Sequence, residues 1–293
     1  MIYFTYYQTS TGRSGHQLKD IMTVFMFSYF FENAVCVKNR SWNKQQLLPH
    51  MDCPHEKTAK YDKIIRMEAN IKLWEGMSDE KFFETIQYIK NCSEEGENTL
   101  FVFLDVNRFH PVQLHNLFLS KKISVDYFTT KFLPQIRKFY YGTEEPASSN
   151  VVSIHVRRGD TAASNKKKGF HAQYYSRIID IVNDLLNIPI HVYSEDYGSK
   201  DLEVLQEKPN VTLFLGGTKE LKEHFYNIVS SKFLFLSNSS FATWAAYITL
   251  GTVFHETALK IKHFDHMEYP PNFIGYNIDD LREKVTKYTT QAK

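Results

Sequence analysis

The sequence predicts an α/β chain built as two Rossmann-like halves that face each other across a cleft. Three observations carry this expectation. From Val151 to Phe254, short apolar runs alternate with helix-periodic segments at the spacing of parallel βαβ units. The N-terminus opens with a second unit of the same kind. Between them lies a polar stretch containing Gly and Pro, Gly142–Asn150, which reads as a linker. The chain has 293 residues, room for two domains of roughly 130–150 residues each. The expected division is a first domain over 1–145, a second over 146–260, and a tail over 261–293 whose helix packs back on the domains.

The elements follow in order. Ile2–Tyr7 is β-rich and runs into a turn-forming loop, Thr9–Gly15. Leu18–Glu32 reads as a helix that is apolar nearly all round, and Ala34–Val37 as the next buried strand. Residues 40–95 mix polar and charged side chains. An amphipathic helix is expected over Asp79–Lys90, with Ser78 as its N-cap. Leu100–Leu104 is a buried strand. Val125–Tyr140 has helical spacing with a break expected at Pro134. In the second half, strands are expected at Val151–Val156, Pro189–Ser194, Val211–Leu215, Phe233–Ser237 and Thr252–Phe254. Helices are expected at His171–Asn187, Asp201–Glu207, Thr218–Ser231, Phe241–Leu250 and Asp279–Thr289.

Composition excludes several classes. Apolar residues at 43% and charged residues at 23% describe an ordinary globular chain, not a disordered or fibrous one. Thirty-five Lys and Arg against 33 Asp and Glu leave little net field for nonspecific nucleic-acid binding. Cys36, Cys53 and Cys92 are too few for a disulfide framework and show no CxxC spacing, so reduced, structural thiols are expected. No apolar run reaches the length of a membrane span, and no basic leader precedes the first strand. The expected compartment is the cytoplasm; a lumenal catalytic domain separated from its anchor would read the same. Sequons at Asn39, Asn91, Asn210 and Asn238 matter only in a secretory lumen.

Ligands of doubly wound sheets bind beyond the carboxyl ends of the strands, so the candidates lie there. Val151–Asp160 (VVSIHVRRGD) sends a buried strand into His155, Arg157, Arg158 and Asp160. Alternation puts His155 and Arg157 on one face and Arg158 on the other. Asp160 can hold one arginine while the other meets an anion such as phosphate, whose oxygens suit the guanidinium fork. A structural Arg–Asp pair would fit the same residues. In FLSNSSFATWAAY, a strand ends at Ser237-Asn238-Ser239-Ser240 and a helix starts near Phe241. The dipole and free N–H groups of that helix attract phosphate, although ordinary capping uses the same serines. The first turn holds Gly12, Arg13, Gly15, His16 and Gln17, without the spacing of a nicotinamide turn or a P-loop. Ser194, Glu195 and Asp196 could accept hydrogen bonds from a base or sugar, or form a solvated turn. No HExxH, convincing histidine set or acidic metal cluster is present, so no metal is expected.

Taken together, HVRRGD (155–160), VYSEDYGSKDLEVL (192–205) and FLSNSSFATWAAYITLG (235–251) resemble the α1,2-fucosyltransferase family of the α1,2/α1,6 superfamily. The resemblance covers about 150–255, plus GRSGHQ, where His16 stands in place of the family's usual Asn. It implies a GT-B architecture, a GDP-fucose donor with no further cofactor, inversion, independence of metal, and a glycan acceptor, expected to be terminal galactose. It places Arg158 on the β-phosphate, His155 near the nucleotide or reaction centre, Glu195 or Asp196 on guanosine, and Ser239 and Ser240 on phosphate. His16, His155 and Asp20 remain alternative general bases. Another donor or linkage, or a non-catalytic GDP- or glycan-binding relative, is the competing reading.

Overall fold

The computed structural model describes residues 1–6, 24, 31, 34–37, 47, 61–68, 76–94, 96–104, 133–142, 148–158, 171–195, 200–216, 220–257 and 272–291. The chain divides into two compact units, Met1–Thr143 and Glu144–Lys293.

The first unit holds a four-stranded parallel sheet. Its strands are β1 (Ile2–Tyr6), β2 (Ala34–Cys36), β3 (Lys63–Glu68) and β4 (Thr99–Leu104), in the order β2-β1-β4-β3. Apolar strands with bulky side chains sit centrally: Phe4 of β1 stacks on Phe101 and Phe103 of β4, with ring centroids 5.5 and 5.6 Å apart. Strand β3 is absent from the sequence expectation. Its residues, KIIRME, are charged and largely exposed because it is an edge strand. Helix α1 (Asp79–Glu94) buries Phe82, Ile86 and Ile89. The Lys81 N–H donates to Ser78 Oγ at 3.2 Å, the capping bond expected of that serine.

Helix α2 runs Leu133–Tyr141 and so begins one residue before Pro134. The proline sits in the first turn of this helix, where its missing N–H has no intrahelical role. Residues 125–132 lie outside the described set, as does most of Leu18–Glu32. Within that segment Val24 is helical and buried, and Phe31 lies in a bend. Cys92 is a buried free thiol.

The second unit is a six-stranded parallel sheet: β5 (Ser149–Val156), β6 (Ile190–Glu195), β7 (Val211–Gly216), β8 (Ser231–Phe235), β9 (Thr252–Glu256) and β10 (Phe273–Tyr276). The spatial order is β10-β9-β8-β5-β6-β7. Counted along the chain this is 3-2-1-4-5-6, the doubly wound order whose topological switch lies between β5 and β8. Register pairs Ile154 with Val192 on one side and with Phe235 on the other. Val211–Leu215 and Thr252–Phe254 were expected as strands; both extend slightly further. Strand β10 was not expected at all.

One face of this sheet is covered by α3 (Ala172–Leu186), a 3₁₀ helix (Lys200–Glu207) and α6 (Leu281–Gln291). Tyr175, Ile178, Ile179 and Val182 form the buried stripe of α3, at the spacing of one helix face. They meet Val152, Ile154, Val192, Phe233, Phe235, Phe254, Leu202, Leu205, Leu281 and Val285 in a single core. Asn187, with φ of 44°, ends α3 in the left-handed conformation that suits asparagine. Helices α4 (Leu221–Val229) and α5 (Ser240–Ile248) complete the unit. Helix α4 is shorter than the expected 218–231; Ser231 already belongs to β8, and 217–219 lie outside the described residues. Helix α5 is apolar all round and buried along its length, Trp244 and Tyr247 included.

Gly251 joins α5 to β9 against the start of β8. A Cβ placed there would stand 2.2 Å from the Ser231 carbonyl oxygen and 2.7 Å from that of Lys232. Both contacts are backbone and cannot swing aside. Gly251→Ala is therefore expected to lower stability by about 2 kcal/mol. Urea denaturation followed by circular dichroism checks this, and an unchanged midpoint would contradict it.

Candidate functional site

Strands β5 and β8 are adjacent, and both end where the sheet changes direction. The residues after β5 are Arg157 and Arg158; those after β8 run from Leu236 through Ser239 to the start of α5. The topology thus brings together the two segments singled out in the sequence, HVRR and SNSSF, at the place where such sheets hold ligands.

The two arginines leave β5 toward opposite faces. Arg158, 6% exposed, turns to the α3 side. Its Nη2 donates to Asp201 Oδ2 at 2.8 Å and its Nε to Asp201 Oδ1 at 3.3 Å. Its Nη1 donates to the Arg157 carbonyl at 3.2 Å. Arg157 stands on the other side, with Nη1 donating to Glu195 Oε1 at the end of β6, 3.1 Å away. Among the described residues, Asp201 and Glu195, from the 3₁₀ helix and β6, pair with the two arginines. Asp160 itself lies outside the described residues. Asp201 carried no role in the sequence reading, because nothing in the chain order links positions 158 and 201.

His155 lies on the Arg157 side. Its Nδ1 is 2.6 Å from Ser237 Oγ, and its ring sits 5.8 Å from that of Phe241 in the first turn of α5. Burial first, then the charges of Arg157 and His224, lower its pKa to about 3. At neutral pH this imidazole carries no charge. Beside it, His224 of α4 covers Gly216; a Cβ at that glycine would come 2.4 Å from the His224 ring, so the close approach requires glycine. Tyr193 stacks on Phe214, centroids 5.0 Å apart, and His191 and His224 border that pair.

Ser239 is the N-cap residue of α5 by backbone conformation, yet its hydroxyl makes no capping bond. Ser239 Oγ is buried and has no hydrogen-bond partner among the described residues. Its carbonyl instead receives the Thr243 N–H and hydroxyl. The expectation of a serine side-chain cap therefore fails at Ser239, and the hydroxyl and first-turn N–H groups of α5 stay available to an anion. Asn238 is half-buried, Phe241 and Ser194 are buried. Gly12, Arg13, Gly15, His16, Gln17, Asp20 and Asp196 lie outside the described residues, and so does the side chain of Ser240.

The edge of the sheet holds a further polar group that sequence reading missed. Glu256 ends β9 and is buried; Tyr174 of α3 donates to its Oε2 at 2.5 Å and lies 3.1 Å from the Tyr276 hydroxyl. Burial pushes both phenols well above their usual range. Neighbouring Tyr175 packs near the Arg158–Asp201 pair, which touches its titration from both sides. Among the described residues, no group of three or more His, Cys, Asp or Glu side chains could hold a metal ion, and no helix is long and apolar enough to cross a membrane.

Burial lowers the pKa of His191, His224 and His255 as well as His155. The unfolded chain binds protons at these sites near pH 6.5, where the folded chain does not, so stability is full above that pH and falls as pH drops toward 3. His155 alone contributes a slope of up to about 1.4 kcal/mol per pH unit in that window. Melting temperatures measured from pH 7 to pH 4 are expected to fall, and to fall less steeply in His155→Gln. Equal slopes for the two proteins would contradict the assignment.

The family model for glycosyl transferase family 11 matches residues 15–263. No curated protein sequence matches the chain. Among solved structures, E. coli heptosyltransferase WaaC with ADP-2-deoxy-2-fluoro heptose is similar at 10% identity, with 100% of both chains covered and a TM-score of 0.54. WaaC with ADP gives 9% identity over the same coverage and a TM-score of 0.49. At such identity the likeness to the first of these is one of fold, and that fold is GT-B-like. A family match across most of the chain, converging with the HVRR and SNSSF segments at the switch point, makes this chain a glycosyltransferase belonging to glycosyl transferase family 11, the α1,2-fucosyltransferase family.

Proposed function

We propose that the enzyme transfers L-fucose from GDP-fucose to a hydroxyl of a glycan acceptor, terminal galactose being the acceptor that the family favours, with inversion and without a metal. One observation carries the anion-binding part of this reading. At the switch point, Ser239 Oγ is buried without a hydrogen-bond partner among the described residues, the N-terminus of α5 lacks a serine cap, and the buried His155 imidazole lies against the first turn of that helix. Buried polar atoms are rarely left so unless something else completes them. A nucleoside diphosphate has the oxygens and the charge to do it.

Bond breaking at the anomeric carbon puts negative charge on the leaving diphosphate. In this proposal Arg157, His155, Ser239 and the first turn of α5 stabilise that charge, and because they are held in place beforehand they need little reorganisation. The phosphate contact moves from Arg158 to Arg157. The Arg158 guanidinium is committed to Asp201 and a carbonyl on the α3 side, while Arg157 shares the face of His155. Arg158 then holds the strand end and the 3₁₀ helix in place. Glu195, at the end of β6, and its neighbour Asp196 are the candidate acceptors for the guanine N–H donors. With its pKa near 3, His155 is a poor proton acceptor and serves as a neutral donor instead. His16 and Asp20 remain the candidate bases for the acceptor hydroxyl.

Calorimetric titration with GDP, GDP-fucose, GDP-mannose, UDP-galactose and NAD, in EDTA, tests the donor. Binding of GDP and GDP-fucose alone is expected; preference for a uridine nucleotide or NAD would overturn the reading, and GDP binding with no turnover would point to a non-catalytic relative. Turnover is expected to persist in EDTA; a loss restored by added metal would overturn the metal-free mechanism. Arg157→Ala is expected to keep the melting temperature and lose about 3–4 kcal/mol of transition-state stabilisation, read as kcat/KM. Arg158→Ala is expected to lower stability by about 2 kcal/mol, through an unpaired Asp201 and lost packing on Tyr175. A stable, inactive Arg158→Ala beside an active Arg157→Ala would reverse the two roles.

A further inference from the structure

β5 and β8 are neighbouring strands whose register aligns Ile154 with Phe235. His155 comes one residue after Ile154, and Ser237 two residues after Phe235, just beyond the end of β8; a ring nitrogen and a hydroxyl meet there in a buried hydrogen bond of 2.6 Å. Ser237 is 3% exposed and His155 7%. Phe241 lies against the imidazole and limits its rotation.

Which atom donates in this bond follows from counting. The serine hydroxyl has one proton and two lone pairs, and a neutral imidazole has one N–H and one bare nitrogen. Among the described residues, Ser237 Oγ has no hydrogen-bond partner other than His155 Nδ1. If Nδ1 carried the proton, it would donate to Oγ, and the buried hydroxyl proton would have no acceptor. If Nδ1 is bare, it accepts that proton and only oxygen lone pairs go unused. An orphaned buried donor is the costlier defect. The second arrangement therefore prevails, and it puts the imidazole proton on Nε2. The charged form, with protons on both nitrogens, is opposed by burial first and then by the charges of Arg157 and His224.

We propose that Ser237 is a positioning residue: by donating to Nδ1 it holds His155 as the Nε2–H tautomer, so that an uncharged imidazole presents a fixed hydrogen-bond donor to the departing nucleoside diphosphate. The ligand named here rests on the nucleotide-sugar reading above; the tautomer does not. Nothing is transferred from His155 in this step. Its Nε2–H bond to a phosphate oxygen strengthens as charge builds there, and the Ser237 hydroxyl on the far nitrogen polarises the ring in the same sense. A free Nδ1–H tautomer would turn a lone pair toward the same oxygen and repel it.

The tautomer is read by nitrogen NMR on protein labelled at histidine, with the His155 signals assigned by their loss in His155→Gln. The expected result at pH 7 is a protonated Nε2 and a bare Nδ1 in the free enzyme, with the Nε2 resonance displaced when GDP is added. A protonated Nδ1 in the wild-type protein overturns the proposal, whatever the variants do. In Ser237→Ala, kcat is expected to fall roughly tenfold to a hundredfold, the range seen when a partner that fixes a histidine tautomer is removed. The KM for GDP-fucose should change little. Ser237→Thr, which keeps the hydroxyl, is expected to restore most of the rate and the Nε2–H signature. Equal losses in both variants would mean that Ser237 acts only in packing, and would overturn it too. If the Nε2–H signature is present and GDP neither binds nor displaces it, the tautomer stands and the nucleotide reading falls; if GDP binds beside a protonated Nδ1, the reverse holds.

Discussion

A guanidinium cannot be neutralised by giving up its proton, so an arginine carried into the end of a buried strand has to find a carboxylate. Here two consecutive arginines leave β5, and strand geometry sends them to opposite faces. Each draws in a different part of the second unit: Arg158 ties the 3₁₀ helix to the sheet through Asp201, and Arg157 ties the end of β6 through Glu195. With both pairs made, the carboxyl end of the sheet is a fixed surface, and the His155–Ser237 bond and the start of α5 inherit their positions from it.

The proposed division of labour between the arginines follows from the neighbours each one has. Arg158 spends Nε and Nη2 on one carboxylate and Nη1 on a carbonyl, with almost no exposure. Arg157 shares its face with a neutral histidine, a helix start without a serine cap, and a hydroxyl that has no hydrogen-bond partner among the described residues. In the proposed reaction these groups are dipoles and one cation held ready around a site where charge appears only as the bond breaks. Such an arrangement favours the transition state over the ground state without asking the protein to move.

Much of the second unit is legible in the sequence, because a sheet covered on both faces needs apolar strands and its helices need a periodic stripe. The exceptions have physical causes. Strand β3 is an edge strand whose charged, exposed residues carry no buried pattern, and β10 is four residues beyond a long stretch with no periodicity. At the site, the strand-end residues were visible and their partners were not. Asp160 is near Arg158 in the chain, whereas Asp201 is near it only after α3 and β6 have folded between them. The state of His155 was also hidden, since burial sets it first, with Arg157 and His224 adding to it, and neither burial nor His224 is a local property of HVRRGD.

Strand β10 and helix α6 come late in the chain, yet they wall the core of the second unit. Phe273–Tyr276 pairs with β9, Tyr276 completes the hydroxyl cluster around Glu256, and Leu281 and Val285 close over α3. Strands β5 to β9 can collapse without them, but with one bare edge and an open hydrophobic face. During translation the first unit can settle early, as N-terminal domains do. The half that carries the paired arginines must wait until residues beyond 285 have left the ribosome tunnel. For that interval the nascent protein presents an unpaired strand edge beside exposed aromatic rings, the kind of surface that chaperones hold and that neighbouring nascent chains can trap.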